Sequence, residues 1–392
     1  MNPLILQPSV QDYINENQQA DVNKIALAKP IFDGISSAEL AGQISAKKKS
    51  KSKLPTWYKQ ENIYYPVLLS IEQCSSEQTA AYKANLAKGK SLIDLTAGFG
   101  VDSFFFAKKC QIVFSCEINE ELATVTTHNA ETLNAKNITI LAENGIDFLK
   151  NTDLNFETIY IDPARRSESA KVFKLKDCTP DVTIHIDEWL LKSSRIIIKT
   201  APLLDITAGL NELKNVSQIH IVSVKNECKE LLWVIDRKVT AETEIVCATI
   251  NQTIKTLSFS ISALQSSTQI LKSIPKGYLY EPDVALLKSG AFNYIAEKFN
   301  LQKLHQHSQL YFSDVFKADF LGRIFEIEKS CTVSELKKMN SLSGNVIVRN
   351  FPEKAENLVK KYKIIPHDTK FIIFTKTNDG NLVLFGNIKQ HY

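Results

Sequence analysis

The sequence has few of the features that mark membrane, secreted or zinc-stabilised proteins. No uninterrupted apolar run approaches about 18 residues, so we expect no transmembrane helix and no membrane partner. The first residues carry neither a basic stretch nor a small-residue cleavage site, so we expect no secretion signal. The 7 cysteines are odd in number and include no CxxC pair, which indicates free thiols in a reducing cytoplasm and gives no support for a metal site.

Strong charge of either sign is also absent. The formal net charge is +4, so the chain as a whole is not a polycation and its positive charge is local. Hydrophobic residues make up 44% of the chain and charged residues 23%, which is ordinary for a soluble globular protein. A length of 392 residues exceeds what one hydrophobic core usually serves, so the chain is predicted to form two or three domains.

One cluster of positive charge lies near the N-terminus, after segments that we interpret as short amphipathic helices. Aromatic residues follow it at once, and basic groups beside exposed aromatics suit phosphates and stacked bases. The alternative is a solvated loop whose aromatics pack onto the rest of the protein, and the sequence favours neither. The cluster comprises Lys47, Lys48, Lys49, Lys51 and Lys53, and the aromatics are Trp57, Tyr58, Tyr64 and Tyr65.

The most informative segment is Leu92–Gly100, which reads Leu-Ile-Asp-Leu-Thr-Ala-Gly-Phe-Gly. We interpret it as a buried parallel strand, a glycine turn and a helix that begins near Val101. Gly98 and Gly100 would let a ligand approach the backbone closely. The third glycine of a dinucleotide fingerprint is missing, and Asp94 at the strand end would repel a pyrophosphate but attract a sulfonium or an ammonium group.

The strands that follow decide between a ligand site and an ordinary strand, turn and helix. The second predicted strand, residues 111–117, closes on Glu117, where a carboxylate can accept hydrogen bonds from ribose hydroxyls. The third is followed by Asn144, and the fourth closes on Asp162. Acids at the ends of the first, second and fourth strands are far more specific than any one motif.

Later apolar runs alternate with helical stretches and complete the pattern. This alternation predicts an α/β fold with a doubly wound parallel sheet of seven strands. The further strands are predicted at 195–200, 218–224 and 231–236, and helices at 120–134, 180–193 and 204–213.

This arrangement resembles the Rossmann-like core of class I S-adenosylmethionine (SAM) methyltransferases, and the glycine turn resembles their motif I. The resemblance covers roughly residues 91–238 and implies SAM as the cofactor. It also implies that Asn144 meets the adenine ring. The implied cofactor-binding set is Asp94, Thr96, Gly98, Gly100, Glu117, Asn144 and Asp162.

Beyond residue 238 the composition changes, and we expect smaller α+β modules. A segment with period-two alternation predicts a hairpin, which one helix and one strand follow. From Arg323 the predicted order is strand, helix, strand, helix and two closing strands joined by the Asn378–Gly380 turn. The predicted ranges are 244–261 for the hairpin, then 282–299, 309–312, 324–327, 333–339, 345–348, 353–362, 371–375 and 382–385.

Four segments narrow the resemblance to one bacterial family of uncharacterised class I methyltransferases. They are Asp94–Gly100, Ile161–Arg166, Lys199–Pro202 and Val224–Leu231. Members carry a ferredoxin-like insert and a C-terminal THUMP-like domain, and because true THUMP domains present RNA to a catalytic domain, the resemblance implies a tRNA or rRNA substrate. The implied domains are an N-terminal helical and basic region (1–88), the methyltransferase domain (89–240), the ferredoxin-like module (241–320) and the THUMP-like domain (321–392).

The segment that follows the fourth strand carries the predicted catalysis. In amino-methylating relatives, a side-chain oxygen and a proline carbonyl hold the target NH2 group, which is a weak nucleophile and reacts through in-line positioning. Asp162 and Pro163 match that pattern, whereas Ala164 and Arg165 replace its second proline and its aromatic residue. Arg165 is expected to stack on a base or hold a phosphate, with a salt bridge as the alternative.

Basic residues elsewhere are predicted to contact RNA, although a solvated surface explains each of them singly. The set comprises Lys47, Lys48, Lys49, Arg166 and Arg349.

Nitrogen methylation is favoured over carbon-5 uridine methylation, since Lys199–Pro202 lacks the cysteine that the uridine family carries there. Cys178 and Cys228 remain conceivable nucleophiles without an adjacent histidine. Two other functions stay open: a methyltransferase acting on protein or a small molecule, and a non-catalytic RNA-binding protein. The intact acidic set argues against the second. The sequence gives no indication of the oligomeric state.

Overall fold

The computed structural model describes residues 1–165, 174–267 and 276–392. These residues form two compact units. The first comprises Met1–Ser217 and Leu232–Ala241, and the second comprises Gln218–Leu231 and Glu242–Tyr392. Among the described residues, no helix is both long and apolar enough to span a bilayer.

Short helices form the N-terminal part of the first unit, as predicted. They are α1 (Pro8–Glu16), α2 (Val22–Leu27), α3 (Ser37–Lys53), α4 (Pro55–Lys59), α5 (Leu68–Gln73) and α6 (Glu77–Ala84). Several begin at a side-chain cap, such as Ser76, whose hydroxyl accepts a hydrogen bond from the Thr79 amide at 3.2 Å. Short 3-10 helices cover Pro3–Leu6 here and Leu175–Asp177, Val182–Ile184 and Ile261–Gln265 later in the chain.

The lysine-rich segment is the second half of α3 and not a loop. Ser36 caps this helix by accepting a hydrogen bond from the Glu39 amide at 3.1 Å, and Lys47 faces inward. Trp57, which follows, packs edge-on against Phe104 with ring centroids 4.8 Å apart. Of the two interpretations that the sequence left open, exposed aromatics beside the lysines is wrong and aromatics packed onto the rest of the protein is confirmed, because these rings complete a hydrophobic core. The buried aromatics are Trp57, Tyr64 and Tyr65.

The sheet of the first unit confirms the predicted α/β fold. Its central strands β1, β2, β3, β4 and β7 are all parallel, in the order β3-β2-β1-β4-β7, with β9 next to β7. The strands are β1 (Ser91–Asp94), β2 (Ile112–Cys116), β3 (Ile138–Leu141), β4 (Phe156–Ile161), β5 (Ala164–Arg165), β6 (Cys178–Thr179), β7 (Ser193–Thr200), β8 (Val216–Val224) and β9 (Glu227–Asp236). The helices between them are α7 (Val101–Ala107), α8 (Glu120–Thr132), α9 (Gly145–Asn151), α10 (Ile186–Lys192) and α11 (Ile206–Glu212).

The second unit begins with β8 and the first half of β9, which are joined by a tight turn. Lys225 and Asn226 have φ values of 50° and 61°, as a two-residue hairpin turn requires. The predicted later hairpin is confirmed as β10 (Glu244–Ile250) and β11 (Ile254–Ser260), which pair antiparallel. Within this unit the strand order is β11-β10-β8-β9, and β10 runs parallel to β8.

The rest of the second unit is a seven-stranded sheet with the order β13-β14-β12-β15-β18-β17-β16. Along β17, Phe371 and Ile373 enter one hydrophobic cluster and Ile372 and Phe374 the other, so both faces of the sheet are covered. The elements are β12 (Gly277–Pro282), α12 (Val284–Ser289), α13 (Phe292–Lys298), β13 (Gln302–His305), β14 (Ser308–Ser313), β15 (Gly322–Thr332), α14 (Val333–Leu336), β16 (Asn345–Val348), α15 (Ala355–Tyr362), β17 (Lys370–Thr377) and β18 (Gly380–Gln390).

Two features of this sheet differ from the sequence interpretation. The single helix predicted over 282–299 is wrong: Gly290 adopts a left-handed φ of 74° and ends α12 before α13 begins. The predicted boundary at 320/321 also falls inside the sheet, because Leu279 of β12 is paired with Phe325 of β15.

Candidate active site

The glycine turn after β1 combines one open glycine with one packed glycine. Gly98 has a φ of 56°, and a Cβ added there would meet no heavy atom within 4 Å. Gly100 has a φ of 75°, and its Cβ would lie 2.5 Å from Cγ2 of Thr126 in α8. Gly100 thus allows close packing of α8, whereas the space beside the Cα of Gly98 is left open.

Asp94 ends β1 and is almost fully buried. Its carboxylate accepts hydrogen bonds from the Thr96 amide at 3.0 Å and from the Ser103 hydroxyl at 2.6 Å. Burial, together with the negative charges of Asp102 and Asp162, raises the pKa of Asp94 to about 7 despite these two donors. A nearby cation would therefore stabilise the ionised form of Asp94.

Glu117 follows β2 and connects two loops at the sheet edge. One oxygen accepts a hydrogen bond from the Gly98 amide at 2.8 Å, and the other accepts from the Asn119 amide at 2.8 Å. The next residue, Ile118, is 70% exposed. An exposed apolar side chain beside a carboxylate could bind a nucleoside. The apolar side chain would cover the face of the heterocycle, and the carboxylate would accept hydrogen bonds from the sugar. No role was predicted for Ile118. Its position directly after Glu117 is the one sequence feature that could have marked it as a ligand contact.

Asn144 caps α9 at the end of β3. Its side-chain oxygen accepts hydrogen bonds from the Ile146 and Asp147 amides at 2.9 and 3.3 Å. Gly145 lies so close to β1 that an added Cβ would be 2.4 Å from the Leu95 carbonyl oxygen. The glycine that sequence reasoning missed therefore brings the start of α9 against the end of β1.

Asp162 follows β4 and is fixed through both its backbone and its side chain. Its amide donates a hydrogen bond to Oγ1 of Thr96 at 2.8 Å. Its carboxylate forms an ion pair with Lys199, the penultimate residue of β7. Lys199 had no predicted role, because its partner lies 37 residues away in the sequence. The ion pair joins the ends of two neighbouring strands.

The residues after Asp162 are described only in part. Pro163 is buried, and the backbone of Arg165 in β5 pairs with Cys178 of β6. The side chain of Arg165 and the whole of Arg166 lie outside the described residues, so their predicted roles stay predictions.

A second ionic group lies beneath the glycine turn. Asp102 of α7 accepts hydrogen bonds from the hydroxyls of Ser75 and Tyr160, each at 2.8 Å. Lys83 of α6 is fully buried, and its ammonium lies 3.2 Å from Oδ1 of Asp102. Burial alone would raise the pKa of Asp102, but the charges of Lys83 and Lys199 hold it below its usual value. The N-terminal helices are thereby connected to the site.

The predicted RNA contacts occupy very different surroundings. Lys47 is only 6% exposed, and burial lowers its pKa, so the prediction that it contacts RNA is wrong. Lys48 and Lys49 are exposed, and Lys49 lies 3.5 Å from Glu72. Arg349, in the second unit, lies 2.6 Å from the buried Glu281. In the described residues, no group of three or more His, Cys, Asp or Glu side chains is placed to hold a metal ion.

Comparisons with known proteins agree with this fold. A sequence profile described as a ferredoxin-like domain matches residues 278–320, which contain β13, β14, α12 and α13. A crystal structure of a provisionally assigned methyltransferase from Porphyromonas gingivalis W83 is 29% identical in sequence, with a TM-score of 0.87 over 99% of this chain and 98% of that chain.

An uncharacterized RNA methyltransferase of Mycoplasma mobile is 29% identical over 114 residues. The match covers 29% of this chain and 31% of that protein, so the chain spans under a third of the length of this curated relative. Together the matches confirm the predicted methyltransferase fold with a ferredoxin-like domain.

Proposed function

We propose that the protein is a SAM-dependent methyltransferase that modifies a base nitrogen of structured RNA, either tRNA or rRNA. The observation that carries the proposal is the set of carboxylates at the ends of β1, β2 and β4 around the open turn at Gly98. This is the edge of a parallel sheet where open α/β folds bind their ligands.

The charges at this edge favour a cationic ligand. Among the described side chains, Asp94, Asp102, Glu117 and Asp162 supply four carboxylates, and Lys83 and Lys199 supply two ammonium groups. Two negative charges are left over when all are ionised. SAM carries a sulfonium and supplies an electrophilic methyl group, so a site with this balance fits it.

Individual residues have matching roles in cofactor binding. Glu117 would accept hydrogen bonds from the ribose hydroxyls, and Ile118 would cover one face of the adenine. The side chain of Asn144 would meet the adenine edge. Asp94 would balance the positive charge of the cofactor, with Thr96 and Gly98 providing the backbone of the turn.

Asp162 is the proposed acceptor for the target amine. Its carboxylate would accept a hydrogen bond from the target N–H and hold the nitrogen lone pair toward the methyl group, helped by the Pro163 carbonyl. Methyl transfer to this nitrogen would break the carbon–sulfur bond, with the electron pair staying on sulfur and a neutral thioether leaving, and the methylated nitrogen would then give its proton to Asp162 or water. Arg165 would hold the base or its phosphate.

Thiol chemistry finds little support in the two cysteines that the sequence left open. Cys178 is buried in β6, and burial raises the pKa of the Cys228 thiol to about 11. A thiol that stays protonated at neutral pH is a poor nucleophile. Methylation of nitrogen, which needs positioning and no covalent intermediate, is favoured over methylation of uridine carbon 5.

RNA is favoured as the substrate class on two grounds. The Mycoplasma mobile relative is named as an RNA methyltransferase. The second unit holds a ferredoxin-like domain, and the predicted THUMP-like segment shares its sheet, which would let both present RNA. Exposed Lys48 and Lys49 on α3 add positive charge in the first unit.

The test is methyl transfer from labelled SAM to total RNA from a deletion strain, followed by mass spectrometry of the nucleosides. Asp162→Asn should lower turnover on the order of tenfold to a thousandfold while SAM affinity stays, and Asp162→Ala should lower it further. Arg165→Ala should reduce RNA-dependent turnover more than SAM affinity.

The matched control is Asp187→Asn, which removes an exposed carboxylate of the first unit that pairs with Lys214 at 3.4 Å. It should leave both readouts unchanged. Parental turnover by both Asp162→Ala and Arg165→Ala would refute the catalytic assignment, and transfer to protein but not to RNA would refute the substrate class.

A further inference from the structure

Four side chains of alternating charge form a row that ends at Asp162. Lys83 lies 3.2 Å from Asp102, and Lys199 is paired with Asp162. The charge of Lys199 also acts on Asp102 and helps lower its pKa. The exposed fractions of the side chains rise along the row, from 0% at Lys83 through 11% and 14% to 34% at Asp162.

Burying these four charges costs free energy, and their exposure increases from Lys83 to Asp162. A buried lysine loses the hydration of its ammonium, and this loss is offset only when opposite charges and hydrogen bonds surround it. Lys83 is supplied with both, because its ammonium also donates to the Ser75 hydroxyl at 3.0 Å. Each interior charge in the row therefore has opposite charges for neighbours, and only the last one, Asp162, faces the open edge of the sheet.

The surroundings of Lys199 set it apart from the rest of its strand. Ile196, Ile197 and Ile198, which precede it in β7, are all fully buried. The other ion pair of β7, between Arg195 and Asp236, is bidentate with both contacts at 2.9 Å and lies toward the start of the strand. Lys199 is thus the cation that β7 brings to the ligand-binding edge.

We propose that Lys199 is a positioning residue for methyl transfer, which holds Oδ2 of Asp162 so that the carboxylate is presented to the target nitrogen. The proposal rests on the function proposed above. Thr96 fixes the backbone of Asp162 at 2.8 Å, and Lys199 fixes its side chain. The charge of Asp102 also attracts Lys199, and Lys83 of α6 pairs with Asp102, so the N-terminal helices contribute to the charge environment of the site.

The experiment compares Lys199→Met and Lys199→Arg with a matched control, Lys214→Met, which breaks the exposed ion pair with Asp187. SAM affinity is measured by calorimetry, and the rate of transfer by single turnover with labelled SAM and total RNA from a deletion strain. Lys199→Met should slow transfer on the order of tenfold to a hundredfold with SAM affinity nearly unchanged. Only the Asp162 carboxylate, which holds the target nitrogen, would be misplaced. Lys199→Arg, which keeps the charge, should recover part of the rate, and Lys214→Met should match the parent.

A double-mutant cycle separates positioning from a general structural effect. If Lys199 acts through Asp162, adding Lys199→Met to Asp162→Asn should slow transfer by less than about threefold more. Independent losses that multiply would overturn the proposal, as would a Lys199→Met enzyme with the parental rate. A loss of SAM affinity equal to the loss of rate would also overturn it, since the residue would then serve cofactor binding.

NMR titration of the Asp102 carboxyl group tests the row without any measurement of enzyme activity. Lys199→Met should raise the midpoint of Asp102, because one of the two cations that lower its pKa is removed. An unchanged midpoint would refute the row. If the parent transferred no methyl group to RNA, the proposed function and the role of Lys199 in it would both fail, while a raised midpoint would show that the row itself exists.

Discussion

Each of the two units contains a buried carboxylate with two cations, and the two clusters are built differently. Asp102 of the first unit forms an ion pair with Lys83, and the charge of Lys199 also lowers its pKa. Glu281 of the second unit is 2% exposed and is held by Arg323 at 2.5 Å and Arg349 at 2.6 Å. The lysine cluster ends at a partly exposed acid, Asp162, whereas every charged group of the arginine cluster has its partner within the cluster.

In the arginine cluster, each oxygen of Glu281 has a guanidinium partner. Arg323 contacts Glu281 through two nitrogens and lies 4.8 Å from the ring centre of Tyr392, whose hydroxyl also donates to Glu281 at 3.2 Å. Planar guanidinium groups can satisfy a carboxylate from two sides and stack on aromatic rings. Glu281, Arg323 and Arg349 come from β12, β15 and the loop after β16, so the cluster joins strands on both sides of residue 320.

The comparison teaches how buried charge can be divided between stability and ligand binding. A closed cluster with two cations for one acid should matter for folding and little for SAM. An open row that ends in a partly exposed acid should matter for the ligand and the reaction. The two clusters can therefore be separated by measuring unfolding and binding on the same variants.

The largest effect is expected from Glu281→Ala. It leaves two arginines without their shared acid, and breaking a buried ion pair costs about 3–5 kcal/mol in the free energy of unfolding. Trp57, Trp189 and Trp233 all belong to the first unit, so tryptophan fluorescence reports that unit while circular dichroism reports both. Circular dichroism should show an early unfolding transition that fluorescence lacks, with SAM affinity unchanged.

The control for this prediction is Glu326→Ala, which removes the partner of Lys389 at 2.7 Å in a half-exposed pair of the same sheet. It should lower the unfolding temperature far less than Glu281→Ala does, because this pair is open to solvent. If the two variants lowered the stability of the second unit equally, burial of the Glu281 ion pair would make no extra contribution to its stability.

The next effect is expected from Glu117→Ala in the open site. Loss of charge-assisted hydrogen bonds to the ribose should weaken SAM binding by about 1–3 kcal/mol in calorimetry. The control is Glu131→Ala, an exposed acid on α8, which should bind SAM like the parent. Unchanged affinity in a folded Glu117→Ala variant would remove this residue from the site.

A smaller effect should follow from pH, through Asp94. Its pKa of about 7 in the folded protein exceeds the usual value of a carboxyl, so the folded state retains a proton that the unfolded chain has already lost. The stability that this group contributes is full below about pH 4 and is lost as the pH rises to about 7. Ionised Asp94 attracts a cation, so SAM affinity should change in the opposite direction and fall as the pH drops below 7.

Asp94→Asn tests both halves of this argument. At pH 8 the ligand-free variant should unfold at a higher temperature than the parent, and at pH 5 the difference should shrink. Its SAM affinity should be lower and nearly independent of pH, whereas that of the parent should change by up to about tenfold per pH unit below 7. A parent whose SAM affinity is flat from pH 6 to 8 would contradict the assignment of Asp94.

Much of the first unit was predictable because its signals are local. Hydrophobic runs ending in Asp94, Glu117 and Asp162 locate the strands and the sheet edge, and glycines mark the turn. The structure differs where partners are distant in sequence. Lys199 meets Asp162 and Lys83 meets Asp102 only after folding, and no spacing rule links them.

The second unit was harder to predict for the same reason. Each strand was visible as a short apolar run, but the pairing of β12 with β15 depends on residues 40 or more apart in the chain, such as Leu279 and Phe325. Gly290 divided a helix that periodicity alone had joined. The lysine run shows most simply what sequence cannot predict. Lys47 is buried while its neighbour Lys48 is exposed, although the two residues are identical in type.

That contrast gives the smallest predicted effect. Lys48→Ala should leave stability within about 0.5 kcal/mol of the parent, weaken binding to bulk tRNA slightly, and reduce the salt dependence of binding by roughly one counterion. Lys47→Ala should instead lower the unfolding temperature and leave the salt dependence unchanged, since a buried side chain reaches no phosphate. Filter binding over a range of salt concentrations, with thermal unfolding of each variant, checks both expectations. If Lys48→Ala left the salt dependence unchanged, α3 would lie outside the RNA-binding surface, and the second unit would have to supply the phosphate contacts.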